Sequence, residues 1–317
     1  MYTTSAPHPD FGHVVDDDGI LVVIDWRGDE RRMGSLPDKF DPVLSVPIDS
    51  PATTNLAFED LLAAEGIELT DAQIEEIARS GVMDGRPKFG GQFIDNQNNH
   101  GSCNGYMEAG MLACARYRRG EPLELLSGAY AYSLMNGGRD QGSQLAHAMA
   151  NVSDRGICRK QLCDWRQIYP SMYNRAVCDA DAKRFRGFLQ YPCRTLRGFW
   201  TGLALGFDGG CAVHAARNFM RVNADGIAGV DSGPGNHAVR CDGLIWTDFG
   251  PTGTGDNSWG LEYGDGGRMQ LHTGHFNGTF RNHQFWILPS TVDDPDDANK
   301  PPRLAVATRA PRLVSVS

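Results

Sequence analysis

Apolar positions in the first 88 residues follow two different spacings. The run Ile20–Trp26 is short and rich in Val and Ile, which predicts a buried strand. The segments Asn55–Glu65 and Thr70–Ser80 instead carry apolar residues at helical spacing, and Gly81 follows the second segment as a helix stop. We therefore predict that residues 1–88 form a separate N-terminal region of one strand and two short helices.

The middle of the chain differs in pattern from the part that follows it. Residues 92–195 have mainly helical spacing, and the predicted helices are Asn104–Arg119, Leu126–Asn136 and Ser143–Arg155. Residues 200–288 are glycine-rich and carry short apolar runs, which is typical of strands joined by turns. A turn-rich stretch, Gly85–Gly91, is predicted to be the boundary with the N-terminal region. A helical half therefore precedes a β-rich half, and function is often built in the crevice between two such lobes.

The last 27 residues, 291–317, have a composition of their own. They contain an acidic stretch, the pair Pro301-Pro302 and a final alternating segment, and they cannot bury much apolar surface by themselves. We expect an extended arm whose end can add a strand to a neighbouring sheet. An arm of this kind would suit homo-oligomeric or hetero-oligomeric assembly.

Length and charge narrow the class of protein. A chain of 317 residues corresponds to two domains at roughly 150 residues each, or to one two-lobed unit. The net charge of −9 argues against nucleic acid as a partner, because phosphate binding needs a basic surface. The longest apolar run, Ile20–Ile24, is far shorter than the roughly 20 residues of a membrane span, and no signal-peptide pattern opens the chain. We expect no membrane contact and a location in the cytoplasm or within an assembled particle.

The cysteine count of eight invites a disulfide interpretation. Without a signal peptide, reduced thiols are the expectation. Four cysteines share one stretch but lack the paired spacing of a zinc knuckle: Cys158, Cys163, Cys178 and Cys193. His272 and His275 are three residues apart in a glycine-rich region and also fall short of a metal-site pattern. We therefore expect no metal and no cofactor, and bridges among Cys158–Cys241 stay open for an oxidising compartment.

The clearest candidate for chemistry is Cys103, in the sequence Gly101-Ser102-Cys103 directly before a helical segment. A cysteine at a helix N-terminus lies at the positive end of the helix dipole, which stabilises its thiolate. A nucleophilic thiolate also needs a base and a donor for the developing oxyanion. Gln97 lies six residues upstream and carries a side-chain amide that can donate to an oxyanion.

Two downstream segments supply the remaining parts of such a site. His237 enters an apolar strand within Asn236-His237-Ala238-Val239, and Asn257 opens Asn257-Ser258-Trp259-Gly260. An asparagine can accept a hydrogen bond from one imidazole nitrogen and leave the other for the thiol. The residues Gln97, Cys103, His237 and Asn257 therefore form a candidate catalytic set in that order.

This set resembles the papain family of cysteine peptidases over roughly residues 90–290, and intermediate stretches are similar to bacterial- or phage-type members without a signal peptide. The order Gln, Cys, His, Asn, the six-residue spacing from Gln97 to Cys103 and the Asn-Ser-Trp-Gly tetrapeptide carry the resemblance. It implies an α+β, two-lobe fold with a helical lobe at about 89–195 and a β-barrel lobe at about 196–290. The N-terminal extension and the C-terminal arm would flank this 89–290 domain.

The resemblance also implies roles for individual residues. Cys103 would be the nucleophile, His237 the general base and acid, and Asn257 the residue that orients His237. Gln97 and the backbone N–H of Cys103 would form the oxyanion hole, and Trp259 would shield the Asn257–His237 hydrogen bond from water. The implied activity is hydrolysis of peptide bonds in a peptide or protein substrate.

Some positions depart from the family pattern. Asn104 stands where the family usually has Trp, and His100 stands where many members have a disulfide cysteine, so that bridge is absent. Residues 1–88 lack the helical pattern of a secreted pro-segment, and whether they are removed on maturation is open. These departures and the C-terminal arm motivate an alternative, a structural or assembly protein such as a subunit of a virion that keeps the fold. An acyl transferase with the same dyad is a third hypothesis.

Overall fold

The computed structural model describes residues 57–276 and 285–292, without the side chains of 188, 189 and 290–292, together with the backbone of five N-terminal strands. These strands, β1 to β5, are Thr3–Thr4, His13–Val15, Leu21–Ile24, Glu30–Arg32 and Ser35–Leu36. Strands β1 to β4 form an antiparallel sheet in chain order. The strand predicted over Ile20–Trp26 is confirmed as β3. Of the predicted arm, 291–317, only the backbone of 291–292 lies within the described residues.

In the described part of the chain, three helices lie between the N-terminal strands and Cys103: α1 (Phe58–Glu65), α2 (Asp71–Ser80) and α3 (Gly85–Phe89). The two predicted helices are confirmed, and α2 begins with a capping box between Thr70 and Gln73. Both α1 and α2 end at a glycine in the left-handed region, Gly66 with φ 66° and Gly81 with φ 69°. Their buried side chains belong to the same hydrophobic cluster as the large sheet. The predicted domain boundary at residue 88 stays a prediction, and α1 and α2 lie on the sheet side of the molecule.

The prediction of a turn over Gly85–Gly91 is wrong for most of its length, because Gly85–Phe89 form α3. The Asp84 side chain accepts a hydrogen bond from the backbone N–H of Arg86 at 2.9 Å and so caps the new helix. Pro87 lies in the first turn, where its missing N–H costs no helical hydrogen bond. A proline and a flanking glycine thus coexist with a short helix that the sequence pattern does not indicate.

The helical lobe contains four further helices, α4 (Cys103–Arg118), α5 (Gly128–Ser133), α6 (Leu145–Asp154) and α7 (Arg175–Ala182). The three predicted helices are confirmed with changed ends. The first begins one residue earlier than predicted, and α5 is shorter because Ser127 caps it by accepting from the N–H of Tyr130 at 3.0 Å. Residues Ser143–Gln144, predicted to be helical, are the strand β6 and pair in parallel with β5.

The second lobe is built on a six-stranded antiparallel sheet of strand order β11-β10-β9-β8-β12-β7. Its strands are β7 (Arg186–Pro192), β8 (Asp208–Val213), β9 (His237–Thr247), β10 (Gly250–Asp256), β11 (Arg268–His272) and β12 (Phe285–Val292). Helix α8 (Leu196–Ala204) packs on this sheet. Strand β7 lies at the C-terminal end of residues 92–195, the stretch predicted to be mainly helical.

Two hydrophobic clusters make up the core, one around the sheet and α8, the other around α4 to α7. Ala238 of β9, with Trp286 and Leu288 of β12, belongs to the helical cluster and joins the two lobes. The mixed α+β, two-lobe architecture predicted from the sequence is therefore present. Among the described residues no helix is both long and apolar enough to cross a membrane.

Candidate active site

Cys103 is the first residue of α4, and its side chain is fully buried. Helix α4 packs on α5 on one side and on β9 on the other. The approach to α5 requires a glycine at Gly105, since a Cβ there would lie 2.4 Å from the carbonyl oxygen of Gly128. This close packing fixes the first turn of α4, and with it the position of the Cys103 side chain.

His237 is the first residue of β9 and pairs with Val213 of β8. Its imidazole Nε2 lies 2.8 Å from Oδ1 of Asn257. Because an amide oxygen only accepts, Nε2 carries the proton and Nδ1 keeps its lone pair. Nδ1 is buried and has no hydrogen-bond partner among the described residues. The ring is therefore oriented with a basic nitrogen available for a proton.

Helix α4 and strand β9 pack against each other. Met107, one helical turn after Cys103, lines a small pocket together with Ala238 and Asn257. Ala238 follows His237 directly in the chain and belongs to the same hydrophobic cluster as Cys103. The fold thus places the two elements that carry the thiol and the imidazole in contact with each other.

Asn257 and Trp259 both contact the imidazole of His237. Asn257 directly follows β10, and its backbone N–H donates to the carbonyl of Gly267 at 3.0 Å. The Trp259 ring is stacked on the His237 ring with centroids 4.6 Å apart and planes at 24°. The ring of Phe219 meets the same imidazole edge-on at 6.1 Å. These aromatic rings exclude water from the His237–Asn257 hydrogen bond.

Burial governs the protonation of His237. It lowers the pKa of the imidazole to about 4, although the hydrogen bond to Asn257 acts in the opposite direction. At neutral pH the ring is therefore uncharged, and Nδ1 can accept a proton. A neutral, oriented imidazole is the state that a general base requires.

Gln97 lies on a loop that reaches from the sheet lobe to α4. Its side-chain Nε2 donates to the carbonyl oxygen of His100 at 2.7 Å, and its Oε1 accepts from the hydroxyl of Ser258 at 2.5 Å. The backbone N–H of Gln97 also donates to the carbonyl of Ser258 at 2.8 Å. Since Ser258 lies between Asn257 and Trp259, the loop of the oxyanion candidate is joined to the motif that orients His237.

The two departures from the family pattern have clear structural partners. Asn104 is buried, and its Nδ2 donates to the carbonyl and the hydroxyl of Ser143 at 2.7 and 3.0 Å. His100, at the position where the resemblance implies an absent disulfide, pairs through Nδ1 with Asp140 at 2.9 Å. Both contacts join the segment around Cys103 to residues about 40 positions later in the chain.

All eight cysteines are thiols in the structure and all are buried. Burial raises the pKa of Cys163 to about 12, and it also raises the pKa values of Cys114 and Cys158. These thiols stay protonated at neutral pH and are poor nucleophiles. Within residues 57–276 and 285–292, no three His, Cys, Asp or Glu side chains are grouped so that they could hold a metal ion.

Sequence reasoning assigned no role at the site to three residues around it. Asp140 binds the loop before Cys103, Tyr132 donates to Asp140, and Ser258 binds Gln97. These contacts span 39 residues for Asp140 and 161 residues for Ser258, and no local pattern reports them. Ser258 had a sequence signal in the Asn-Ser-Trp-Gly tetrapeptide, and Asp140 had one in a stretch similar to the family.

Comparison with known proteins finds similar structures but no similar sequence. No protein-family model and no curated protein sequence matches the chain. The cysteine protease and lectin-like domains of Cwp84, a surface layer associated protein of Clostridium difficile, align with 64% of this chain and 50% of theirs, at 14% identity and a TM-score of 0.53. Xylellain, a cysteine protease from Xylella fastidiosa, aligns over 62% of this chain and 81% of its own, at 16% identity and a TM-score of 0.47.

At such low identity these similarities concern the fold. The chain spans about half the length of the Cwp84 structure and most of the length of xylellain. Together with the two lobes and the packing of α4 on β9, the likeness to Cwp84 establishes a papain-like fold for this chain. The activity has to be argued from the site itself.

Proposed function

We propose that the chain is a thiol-dependent endopeptidase that hydrolyses peptide bonds with Cys103 as nucleophile and His237 as general base and acid. The observation that carries this proposal is the His237–Asn257 pair. Its 2.8 Å hydrogen bond directs the Nε2 proton to Asn257 and leaves a buried Nδ1 without a partner among the described residues. A histidine that served packing alone would have no reason to keep a buried ring nitrogen unsatisfied.

The proposed reaction begins with transfer of the Cys103 thiol proton to Nδ1 of His237. The sulfur then attacks the carbonyl carbon of the scissile bond, and the carbonyl oxygen becomes an oxyanion. The backbone N–H of Cys103 and the second N–H of the Gln97 amide donate hydrogen bonds to this oxyanion, since only one N–H of that amide is used by the His100 carbonyl.

The imidazolium next gives its proton to the leaving amine, and a thioester between Cys103 and the acyl half remains. Water, deprotonated by His237, attacks the thioester and releases the carboxylic acid and the thiol. Trp259 keeps the His237–Asn257 hydrogen bond dry during both steps, which holds the ring in one orientation.

Alkylation of the intact protein tests this function. After a short exposure to a papain-type epoxide inhibitor, intact mass should show one adduct on the wild type and none on Cys103→Ala. Cys114→Ala is the matched control, because Cys114 is a buried thiol on the same helix, and it should keep the adduct. Cleavage of a peptide substrate should disappear only in Cys103→Ala.

Two results would overturn the proposal. Adducts spread evenly over several cysteines would mean that Cys103 has no special reactivity. A folded wild type that takes up no adduct would favour the alternative of an assembly protein that keeps the fold. Turnover that rises on addition of an amine acceptor, with an amide as product, would instead indicate acyl transfer through the same thioester.

A further inference from the structure

The loop between Gln97 and Cys103 is held by one carboxylate from another part of the helical lobe. Asp140 Oδ1 accepts hydrogen bonds from the backbone N–H of Gly101 and from the Tyr132 hydroxyl, each at 2.9 Å. Its Oδ2 lies 2.9 Å from Nδ1 of His100. The Tyr132 oxygen in turn accepts from the backbone N–H of Gly142 at 2.9 Å. One side chain therefore joins the loop before Cys103 to α5 and to the segment before β6.

These contacts keep Asp140 ionised. Burial by itself would raise the pKa of the carboxyl, but the hydrogen bonds from His100, Gly101 and Tyr132 outweigh it and lower that pKa. Hydrogen bonds to a charged acceptor are shorter and stronger than neutral ones. The carboxylate is thus a fixed acceptor at the pH at which a peptidase with a neutral His237 would work.

The contact reaches Gln97 through a single peptide group. The carbonyl of His100 and the N–H of Gly101 belong to the same planar unit, and they point in opposite directions. The carbonyl accepts from Gln97 Nε2 at 2.7 Å, and the N–H donates to Asp140 at 2.9 Å. Rotation of this peptide would break both bonds, so the carboxylate that fixes the N–H also fixes the acceptor that orients the Gln97 amide.

The packing leaves little room for another arrangement. A Cβ at Gly101 would lie 3.2 Å from the backbone nitrogen of Gly142 and 3.3 Å from Asp140 Oδ1. The same turn is closed on its inner side, where the N–H of His100 donates to the carbonyl of Gln97 at 3.3 Å. Gln97 itself is completely buried. Its amide is therefore oriented by the His100 carbonyl of this turn and by the Ser258 hydroxyl rather than by solvent.

We propose that Asp140 is a positioning residue for the oxyanion donor, acting on the Gln97 amide through the His100–Gly101 peptide. The proposal rests on the proposed function and adds a residue to it that does not touch the reacting atoms. Asp140 orients the donor to the oxyanion and does not act on the nucleophile. Its loss should therefore slow attack on a carbonyl while leaving the thiol reactive.

Two reactions of Cys103 separate these roles. Hydrolysis of a peptide amide passes through an oxyanion, whereas alkylation by iodoacetamide displaces iodide from a saturated carbon and needs no oxyanion donor. We would measure kcat and KM for a peptide amide, the alkylation rate of Cys103 and thermal unfolding in the wild type, Asp140→Ala and Asp140→Asn. Asp179→Ala is the matched control, because Asp179 also accepts from a tyrosine hydroxyl of α5, Tyr130, at 2.8 Å.

Loss of an oxyanion donor lowers kcat by about 100- to 1,000-fold, so its misplacement in Asp140→Ala should lower kcat by roughly 10- to 100-fold. KM and the alkylation rate should each stay within about twofold of the wild type, since neither depends on the oxyanion. Asp140→Asn keeps an oxygen for the Gly101 N–H and should lose less activity than Asp140→Ala. Asp179→Ala should leave kcat unchanged.

Unchanged kcat in Asp140→Ala would overturn the proposal, and so would a parallel fall in kcat and alkylation rate, which indicates general damage to the site. A wild type that hydrolyses no peptide amide would refute the proposed function, and the role of Asp140 with it. The failure of the function is thus seen in the wild type, and the failure of the positioning role only in the variants.

Discussion

Two buried regions of the molecule treat their carboxyl groups in opposite ways. Where α4 meets the sheet, guanidinium groups surround the carboxylates in a charge network made of Arg118, Arg240, Arg268, Asp208, Asp242 and Asp256. Glu108, five residues after Cys103 on α4, is instead completely buried without such a network. Neither oxygen of Glu108 has a hydrogen-bond partner in the described part of the chain. One region compensates buried charge with opposite charge, whereas burial at Glu108 favours the neutral acid.

Asp242 is at the centre of the charge network. Arg268 binds both of its carboxylate oxygens, at 2.8 and 2.9 Å, and Arg240 binds Oδ2 at 3.1 Å. Burial alone would raise the pKa of Asp242, but the guanidinium groups of Arg268, Arg240 and Arg118 hold it below its usual value. The formal charges of three arginines and three aspartates cancel, so the network stays ionised without a net buried charge.

The same network supports the base half of the candidate site. Asp256 is the last residue of β10 and directly precedes Asn257. Its carboxylate binds Arg240 of β9 and Arg268 of β11, the latter at 2.6 Å. The ends of three strands are thereby joined next to the asparagine that orients His237. The comparison teaches that the charge network next to the candidate base stays ionised near neutral pH, whereas α4, which carries the candidate nucleophile, contains Glu108, whose burial favours its protonated form.

The largest expected effect comes from removing the central charge of the network. Asp242→Asn keeps the shape of the side chain but leaves Arg240 and Arg268 buried with one carboxylate fewer. Breaking a buried ion pair by removing one partner costs about 3–5 kcal/mol, because the remaining charge has no water to solvate it. We expect the free energy of unfolding in urea to fall by about that amount.

An exposed pair provides the control for this prediction. Asp71 binds Arg197 at 2.5 Å, and the two side chains are 86% and 52% exposed. Pairs in this setting contribute at most about 1 kcal/mol, so Asp71→Asn should change stability little. Equal losses of unfolding free energy in Asp242→Asn and Asp71→Asn would contradict the view that the buried network depends on charge compensation more than an exposed pair does.

Local sequence patterns predicted the elements of both lobes better than the contacts between them. Caps and glycine stops located α2, and the Gly-Ser-Cys sequence before a helical segment located the start of α4 to within one residue. The order of Gln97, Cys103, His237 and Asn257 indicated the papain-like fold, while their individual catalytic roles stay predictions. The structure adds that His237 and Asn257 share a hydrogen bond and that Gln97 is bound to Ser258.

The supports of the site could not be predicted, because they depend on residues distant in the chain. Arg118 reaches Asp208 across 90 residues, and His100 reaches Asp140 across 40. A single aspartate or arginine in a sequence is most often a solvated surface residue, so neither residue type signals a buried network. Glu108 has an even weaker signal, since glutamate is a good helix former on any exposed face.

A smaller effect should follow from Glu108→Gln, which tests whether the buried Glu108 carboxyl is neutral. Burial raises the pKa of Glu108 well above its ordinary value, so the folded chain keeps a proton that the unfolded chain releases above about pH 4.3. Because the folded state then binds more protons, its stability falls as pH rises, by up to about 1.4 kcal/mol per pH unit for this group. Glutamine has no proton to lose and should remove this slope.

The measurement is the free energy of unfolding at a series of pH values between 4 and 8. Wild type and Glu108→Gln should differ least at the acidic end, where the carboxyl is protonated in both states. Their difference should grow in favour of the variant as pH rises. Parallel curves for the two proteins would mean that Glu108 is ionised in the folded chain and that the helical lobe compensates its charge after all.

The smallest effect concerns strand β5, which pairs with β6 of the helical lobe. Strand β5 pairs in parallel with β6, in the register Ser35 with Ser143, and it also lies near β9. Ser143 accepts both hydrogen bonds of Asn104, the residue after Cys103, so β5 pairs next to the segment that carries the candidate nucleophile. An extended substrate would have to reach this segment, and a strand that lay on its path would compete with the substrate.

Proline at both positions of β5 tests this competition. The double variant Ser35→Pro and Leu36→Pro removes two N–H groups and should weaken the pairing with β6, whereas alanine at both positions keeps the backbone donors as the matched control. If β5 covers the cleft in half of the molecules, the proline variant should show about a twofold rise in kcat/KM, because apparent affinity scales with the fraction of open molecules. The alanine variant should match the wild type. Equal kcat/KM in all three proteins would mean that the β5–β6 pairing leaves the path to Cys103 open.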